Sequence, residues 1–471
     1  MKNVIQIHDL VKPERNRINL DRLLYQKATD SKPKPKIKFE NKFQSMTEYV
    51  KDQLSQEKYR EILKDSFGDL TKQKKLREVI HSMVSDQKFL DKFSTQLADY
   101  KLDYVTNVLV EKICGLDVLQ PLADSDTITD INIIDYNNIW VDDIYKGTYK
   151  TDIAFETRED YEDLCNRFAF ASGKQYSVSK PSVDAVFPQL RVNFVGQDLS
   201  EVISTQIRII SKKLRLSTEL IKETGYASDL MMRFLSHTIK SQCHLIGGAT
   251  GTGKTELLRY LWQYSLDKNT IVIEDTPETY LLDLYPDKPI KMWKNREAIS
   301  EGKQEFGYSY HLRNAMRQNP FYIVLQEARG GEALQMLKAS ETGHKISGTT
   351  HSDSAIENID RMIDLCLEEQ HHDPNYYGKK LTKNFKIGVH VARYGKNEVR
   401  KISQIVEYIG YSDNKVEANV LFEYDHQRKE HIQKNRVSLD LWYKLTALND
   451  GEDIEELSAL KPQSEYQEAV V

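Results

Sequence analysis

The sequence predicts an α/β protein: a core of alternating helices and strands, preceded by a small α+β domain and an N-terminal helical region. Three observations carry this expectation. From Ser228 onward, short apolar runs alternate with amphipathic stretches in the way that builds a parallel sheet. Between Ile128 and Ile210, strand-like segments bounded by turn residues surround a single helical stretch. Between Met46 and Leu119 the apolar residues recur at helical spacing instead, as in Met46-Tyr49-Val50-Leu54 and Phe89-Leu90-Phe93-Leu97.

Taken in order, residues 1–44 form a basic N-terminal extension and 45–119 the helical region. Residues 1–80 hold 19 Lys/Arg against 12 Asp/Glu, an excess that suits a solvated tail or an arm near an anionic surface. The small α+β domain spans 120–210. Its strands are ITDINII and IWVDD around a DYNN turn, then QLRVNFV and STQIRII, and Thr157 with Asp160 three residues on opens its helix. The polar stretch 211–226, poor in strand formers, reads as a linker. The core, 227–430, begins with helix SDLMMRFLSHTIK and strand CHLIGG. Helix KTELLRYLWQYSL, strands TIVIED and FYIVLQE, helix GEALQMLKAS, strand KISGTTH and helix SAIENIDRMIDLCLEE follow, and three strand-like pieces close it. Residues 431–471 read as a polar, acidic tail, frayed over its end from Asp450.

Composition excludes several classes. The chain has 471 residues, 39% hydrophobic and 29% charged, with no run near the ~20 apolar residues of a membrane span and no apolar stretch of a secretory signal at its start. The net charge of −5 offers no natural surface for a polyanion, so direct nucleic-acid binding is not expected. Four scattered cysteines without a CxxC pair argue against a disulfide framework or a zinc ribbon, and suit a reducing cytosol.

The strongest motif is Gly248-Ala249-Thr250-Gly251-Thr252-Gly253-Lys254-Thr255, a complete GxxxxGK[ST] between an apolar strand and an amphipathic helix. Glycines let backbone N–H groups curl around phosphates at a helix N-terminus. Lys254 would reach the β- and γ-phosphates, and the Thr255 hydroxyl would go to Mg²⁺. The pattern implies a nucleoside triphosphate site. Two later strands end in carboxylates, Glu274 with Asp275 and Glu327, placed to hold or polarise an attacking water beside Mg²⁺. His344 and His351 bracket another strand, whose end lies where a γ-phosphate sensor would sit. Their spacing matches no common zinc pattern.

Together these residues resemble the type II/type IV secretion ATPases, closest to the branch that serves tight-adherence pilus assembly and conjugation. GATGTGKT is similar to the family's Walker A loop, and IVIEDTPE to its aspartate box, with Glu274 as the general base. HLRNAMRQNPFYIVLQEARGGEAL is similar to its Walker B stretch, with Glu327 and then Arg329, and TGHKISGTTHSDSA to its histidine box. PLADSDTITDINI, DAVFPQLRVNFV and STQIRII resemble the amino-terminal domain, which sets Arg191 and Arg208 where arginines reach the nucleotide. The resemblance implies a RecA-like P-loop core, ATP and Mg²⁺ as ligands, Glu256 and Arg329 beside the nucleotide, and Glu327 acting on Mg²⁺ through water. It further implies a homohexamer at the cytoplasmic face of the membrane, working on an inner-membrane platform protein. Gln326 departs from the family's usual glycine. A nucleic-acid translocase with a related core, and an ATP-binding scaffold without turnover, are the competing readings.

Overall fold

The computed structural model describes residues 43–67, 70–196, 198–296, 306–396 and 398–463. The chain divides into two compact units, Met1–Ser211 and Lys212–Val471. The basic extension up to residue 42, and the last residues of the acidic tail from 464, lie outside the described residues. No described helix is long and apolar enough to cross a membrane.

In the first unit, helices Gln44–Leu54, Glu57–Ser66, Leu70–Val84, Gln87–Leu97 and Leu102–Cys114 turn their apolar stripes inward on a shared core. Met46, Val50, Leu76, Ile80, Phe89 and Leu109 are buried there, as the helical spacing of these residues requires. The chain then changes period. Strands β1 (Ile128–Asp135), β2 (Asn138–Asp143), β3 (Gly147–Lys150), β4 (Ser182–Phe187), β5 (Leu190–Val195) and β6 (Ser204–Ile209) form a sheet in the order β3-β2-β1-β6-β5-β4. Every neighbouring pair in it is antiparallel. Alternate residues of β4 are buried and exposed, the signature of a sheet with one covered face. Helix Arg158–Ser172 covers that face through Leu164 and Phe168. It opens with the reciprocal Thr157–Asp160 capping box and stops at Gly173, whose φ of 70° suits glycine.

The second unit is built on a mixed sheet. Its strands are β7 (Cys243–Gly247), β8 (Thr270–Glu274), β9 (Ile290–Lys294), β10 (Tyr322–Leu325), β11 (Lys345–Thr349), β12 (Phe385–Tyr394), β13 (Val399–Ser412), β14 (Lys415–Asp425) and β15 (Glu430–Gln433), in the order β15-β14-β13-β12-β7-β11-β10-β8-β9. From β12 to β9 all pairs are parallel, and from β12 to β15 all are antiparallel. β7, β8, β10 and most of β11 are buried along their length, as expected of parallel strands covered on both sides. Strand β7 therefore runs through the middle of the sheet and delivers the glycine loop at its carboxyl end.

Two expectations are corrected here. Residues 211–226 are not an open linker. Ser217 caps a helix over Thr218–Thr224 through the Leu220 N–H at 3.2 Å, Gly225 closes it at φ 60°, and Leu216, Ile221 and Tyr226 enter the core of the second unit. Nor is 431–463 only a polar tail with a frayed end. Strand β15 extends the sheet, and helix Leu439–Thr446 buries Leu441, Trp442 and Leu445, with Ile454, Leu457 and Leu460 beside them. The fully buried Glu407 accepts the Ser438 N–H at 2.9 Å and its hydroxyl, which fastens that helix to β13. Low mean hydropathy hid six apolar anchors spaced for one side of the segment.

Trp442→Ala is accordingly expected to cost about 3–5 kcal/mol, as for a large core side chain, against under about 0.5 kcal/mol for a surface tail. Thermal or urea unfolding of the variant checks this. His244 makes a second test. It is buried, bonded to the Gln242 carbonyl at 3.1 Å and Thr238 Oγ1 at 3.0 Å, and burial lowers its pKa to about 4. The unfolded chain takes up this proton near pH 6.5, so stability is expected to fall as pH drops from ~6.5 to ~4, by about 3 kcal/mol in total, and then level off. Urea midpoints across that window, compared with His244→Gln, read the slope.

Candidate functional site

The phosphate loop begins where β7 ends. Gly248, Gly251 and Gly253 have φ of 143°, 74° and 95°, and a Cβ at Gly248 would strike the Val391 carbonyl. Helix Lys254–Leu261 follows with no side chain capping its first turn, so its N-terminal N–H groups are left to an incoming anion. Lys254 is folded back inside the loop, its Nζ donating to the Gly248 carbonyl at 2.7 Å and the Ala249 carbonyl at 3.0 Å. Thr252 is buried, and its hydroxyl donates to Ala249 at 2.9 Å. Ala249 and Thr250 are exposed at the rim, and Thr255 is half-buried on the first helical turn. Arg393 and Arg400 brace the outside of the loop, each donating to the Gly251 carbonyl, at 2.9 and 3.0 Å.

Glu327 lies two residues beyond β10. Its Oε1 is 2.7 Å from Nε2 of His351, and its Oε2 accepts from Arg329 Nη2 at 2.6 Å. The other ring nitrogen of His351, Nδ1, is 3.4 Å from Lys254 Nζ. His351 thus joins the loop lysine to the carboxylate of the neighbouring strand. Burial alone would raise the Glu327 pKa, but Arg329, His351 and Lys254 outweigh it and hold the carboxyl below the usual range.

The segment 349–352 is tied to the strands on either side. Thr349 Oγ1 donates to the Gln326 carbonyl at 2.5 Å, the Ala328 N–H to the Thr349 carbonyl at 2.8 Å, and the Thr350 N–H to the Ile246 carbonyl at 3.0 Å. Gln326 has work of its own: its Oε1 accepts the Asp275 N–H at 3.2 Å, joining the end of β10 to the end of β8. A glycine there would lack that bond.

Other expected residues stand elsewhere. His344 precedes β11 and bonds the Pro320 carbonyl at 2.7 Å, at the amino end of the strand, opposite the phosphate loop. It is removed from the sensor role. Glu256 does not turn to the phosphates. Its Oε1 accepts the N–H groups of Arg215 and Leu216, the latter at 3.0 Å, and its Oε2 binds Arg259 at 2.7 Å. Glu274 is 2% exposed, and its Oε1 accepts the N–H of Glu278 at 3.1 Å and of Thr279 at 2.8 Å. Burial pushes its pKa up against those bonds. Its visible work is to fold its own loop, and the carboxylate brought to Lys254 is Glu327. Arg191 and Arg208 belong to the first unit, cross-strand partners on β5 and β6, 3.6 Å from Asp184 and 3.3 Å from Asp130 respectively.

The arrangement fits a nucleoside triphosphate: glycines where a Cβ would clash, an uncapped helix start, and a lysine folded onto loop carbonyls with His351 nearby. Among the described residues no group of three or more His, Cys, Asp or Glu forms a metal cage. A divalent ion would enter with the phosphates, held by Thr255 and water. Sequence reasoning missed Arg393, Arg400, Asn358 and His390, because nothing in a strand or helix pattern marks which polar residue turns toward a loop.

Comparison with known proteins follows this geometry. The family model described as Type II/IV secretion system protein matches residues 183–390. The chain is 29% identical over 323 residues to an uncharacterized protein of Bacillus anthracis, covering 65% of this chain and 71% of that one. It is 29% identical over 267 residues to a putative conjugal transfer protein of Mycobacterium tuberculosis, covering 54% and 74%. It is also 31% identical over 169 residues to the type IV secretion system protein VirB11 of Brucella suis, covering 35% and 45%.

Glu327→Gln tests the electrostatics. A carboxyl held below its usual pKa stabilises the fold above about pH 4.3 and loses that contribution as pH falls through the folded value. The stability gap between wild type and variant is expected to be constant above ~pH 5.5 and to close on acidification, read from urea midpoints. A gap independent of pH would mean that Arg329, His351 and Lys254 do not hold the carboxylate.

Proposed function

We propose that the chain is a member of the type II/type IV secretion ATPase family, whose model matches residues 183–390, and that it hydrolyses ATP with Mg²⁺ to drive a membrane secretion, pilus or conjugation machine. The observation that carries the reading is the line Lys254–His351–Glu327, which sets a cation, an imidazole and a carboxylate at the mouth of one phosphate loop.

The residues divide the work by their chemistry. Loop N–H groups and the helix start bind the phosphates, and Lys254 exchanges its carbonyl partners for β- and γ-oxygens. Bound with the nucleotide, Mg²⁺ supplies charge neutralisation on the phosphates. Glu327, acceptor-only while ionised, orients a water and takes its proton, with Arg329 and His351 fixing the carboxylate's direction. Arg191 and Arg208, on the α+β unit, are kept as the arginines that the family resemblance assigns to the nucleotide. We assign the second unit to a RecA-like core and the protein to a homohexamer at the cytoplasmic face, acting on an inner-membrane platform protein. The resemblance to a conjugal transfer protein supports the conjugation side of the family.

Steady-state ATP hydrolysis against protein concentration tests this, with Lys254→Ala and Glu327→Gln alongside. Specific activity is expected to climb with concentration. Lys254→Ala should abolish nucleotide binding, while Glu327→Gln should keep it and lower kcat by about 10²-fold or more. Binding without turnover in the wild type would favour a scaffold, and a rate independent of concentration would remove the ring.

A further inference from the structure

His390 stands near the end of β12, paired with Gly247 just before the phosphate loop, and is 8% exposed. Its Nε2 lies 3.1 Å from the Ser352 carbonyl, and its Nδ1 bonds Ser403 Oγ on β13. A carbonyl only accepts, so Nε2 carries the hydrogen, and the Ser403 hydroxyl is shared between His390 Nδ1 and the His390 carbonyl 3.1 Å away. Ser352 is the residue after His351. Its hydroxyl donates to Asn358 Oδ1 at 2.6 Å, and Asn358, fully buried, donates from Nδ2 to the Leu245 carbonyl at 3.1 Å and the Val389 carbonyl at 3.3 Å. Ser352 is therefore gripped by main chain and side chain at once, with its anchors on β7, β12 and β13. The next residues continue the pattern, since the Ala355 N–H donates to Gln404 Oε1 at 3.1 Å and Tyr408 donates to the Ala355 carbonyl.

We propose that His390 is a positioning residue which, through the Ser352 carbonyl, holds His351 between Lys254 and Glu327. The assignment rests on the hydrolytic reading above, and it adds a residue outside the phosphate loop to the machinery. The Lys254 ammonium only donates, so His351 Nδ1, 3.4 Å from it, is the acceptor and Nε2, 2.7 Å from Glu327 Oε1, carries the hydrogen, the same tautomer as His390. An imidazole so placed is useful only while its backbone stays put, because a shift of about 1 Å at a reacting group costs up to ~10²-fold in rate. His390 and Asn358 supply that fixity from the far side of the loop. With Nδ1 committed to Ser403, His390 has one orientation in which Nε2–H reaches Ser352.

The test begins with ¹⁵N-histidine-labelled, nucleotide-free protein. At neutral pH both His351 and His390 are expected as Nε2–H tautomers in long-range ¹H–¹⁵N correlation, and a predominant Nδ1–H form at His390 would overturn the proposal. His390→Phe fills the space without the donor and should scramble the His351 signature. His390→Gln returns an amide N–H and should restore it. ADP affinity should stay within about twofold. The kcat for ATP should fall about tenfold or more in His390→Phe, and recover in His390→Gln. In a His351→Ala background, His390→Phe should add less than about twofold, since both changes act through one contact. Multiplicative effects, or an unchanged His351 signature in His390→Phe, would leave His390 a packing residue. A wild type that does not hydrolyse ATP would defeat the hydrolytic reading, while the tautomers of the nucleotide-free protein still decide this one.

Discussion

The second unit depends on one constraint: a positively charged lysine must be kept inside a loop of bare backbone until phosphates arrive. Lys254 meets it by bonding the carbonyls of Gly248 and Ala249, with His351 Nδ1 close by. An ammonium in a buried, partly apolar place is costly unless its hydrogens find acceptors. Those acceptors exist because the positive-φ glycines at 248, 251 and 253 bend the loop so that the carbonyls of Gly248 and Ala249 both meet the lysine. Two guanidinium groups on the Gly251 carbonyl then fix the outer side. The central place of β7 gives the loop rigid neighbours on both flanks, and β11 and β12 provide the residues that meet it.

Carboxylate and imidazole then follow from strand order. With β11 between β7 and β10, residues leaving β11 cross directly from the lysine to Glu327, which is why one histidine spans the gap. The same strand has two ends, and the histidine at its start faces Pro320 instead. Position along a strand, more than residue type, separates a site histidine from a structural one.

Much of this was legible in the sequence. The glycine loop, the buried strands and the capped helix at Thr157 all announce themselves through local rules, and local rules suffice where the fold obeys them. Glu327 announced itself by the apolar run before it, and His351 by its place at the end of the strand that His344 opens. What escaped had non-local causes. Glu256 sits where the motif suggests a ligand residue, yet its carboxylate answers two amides 40 or more residues away in the chain. Thr218–Thr224 carried both a serine cap and a closing glycine, and its polarity outweighed those signals. The segment after residue 430 was judged by composition, whereas the spacing of Leu441, Trp442 and Leu445 decides burial. His390 and Asn358 gave no signal, because side-chain bonds across a sheet leave no periodic trace.

The attachment of Glu256 has a mechanical consequence. Lys212 to Leu216 is the stretch by which the polypeptide enters the second unit, and it is fastened to both ends of the helix that opens at Lys254: Glu256 in the first turn takes the amides of Arg215 and Leu216, while Arg259 in the last donates to the carbonyls of Lys212 and Lys213 at 3.3 and 3.1 Å. Tension along the backbone at this point is not absorbed by slack chain. It is delivered to the base of the phosphate loop, and a displacement of that loop pulls on the same tether in return.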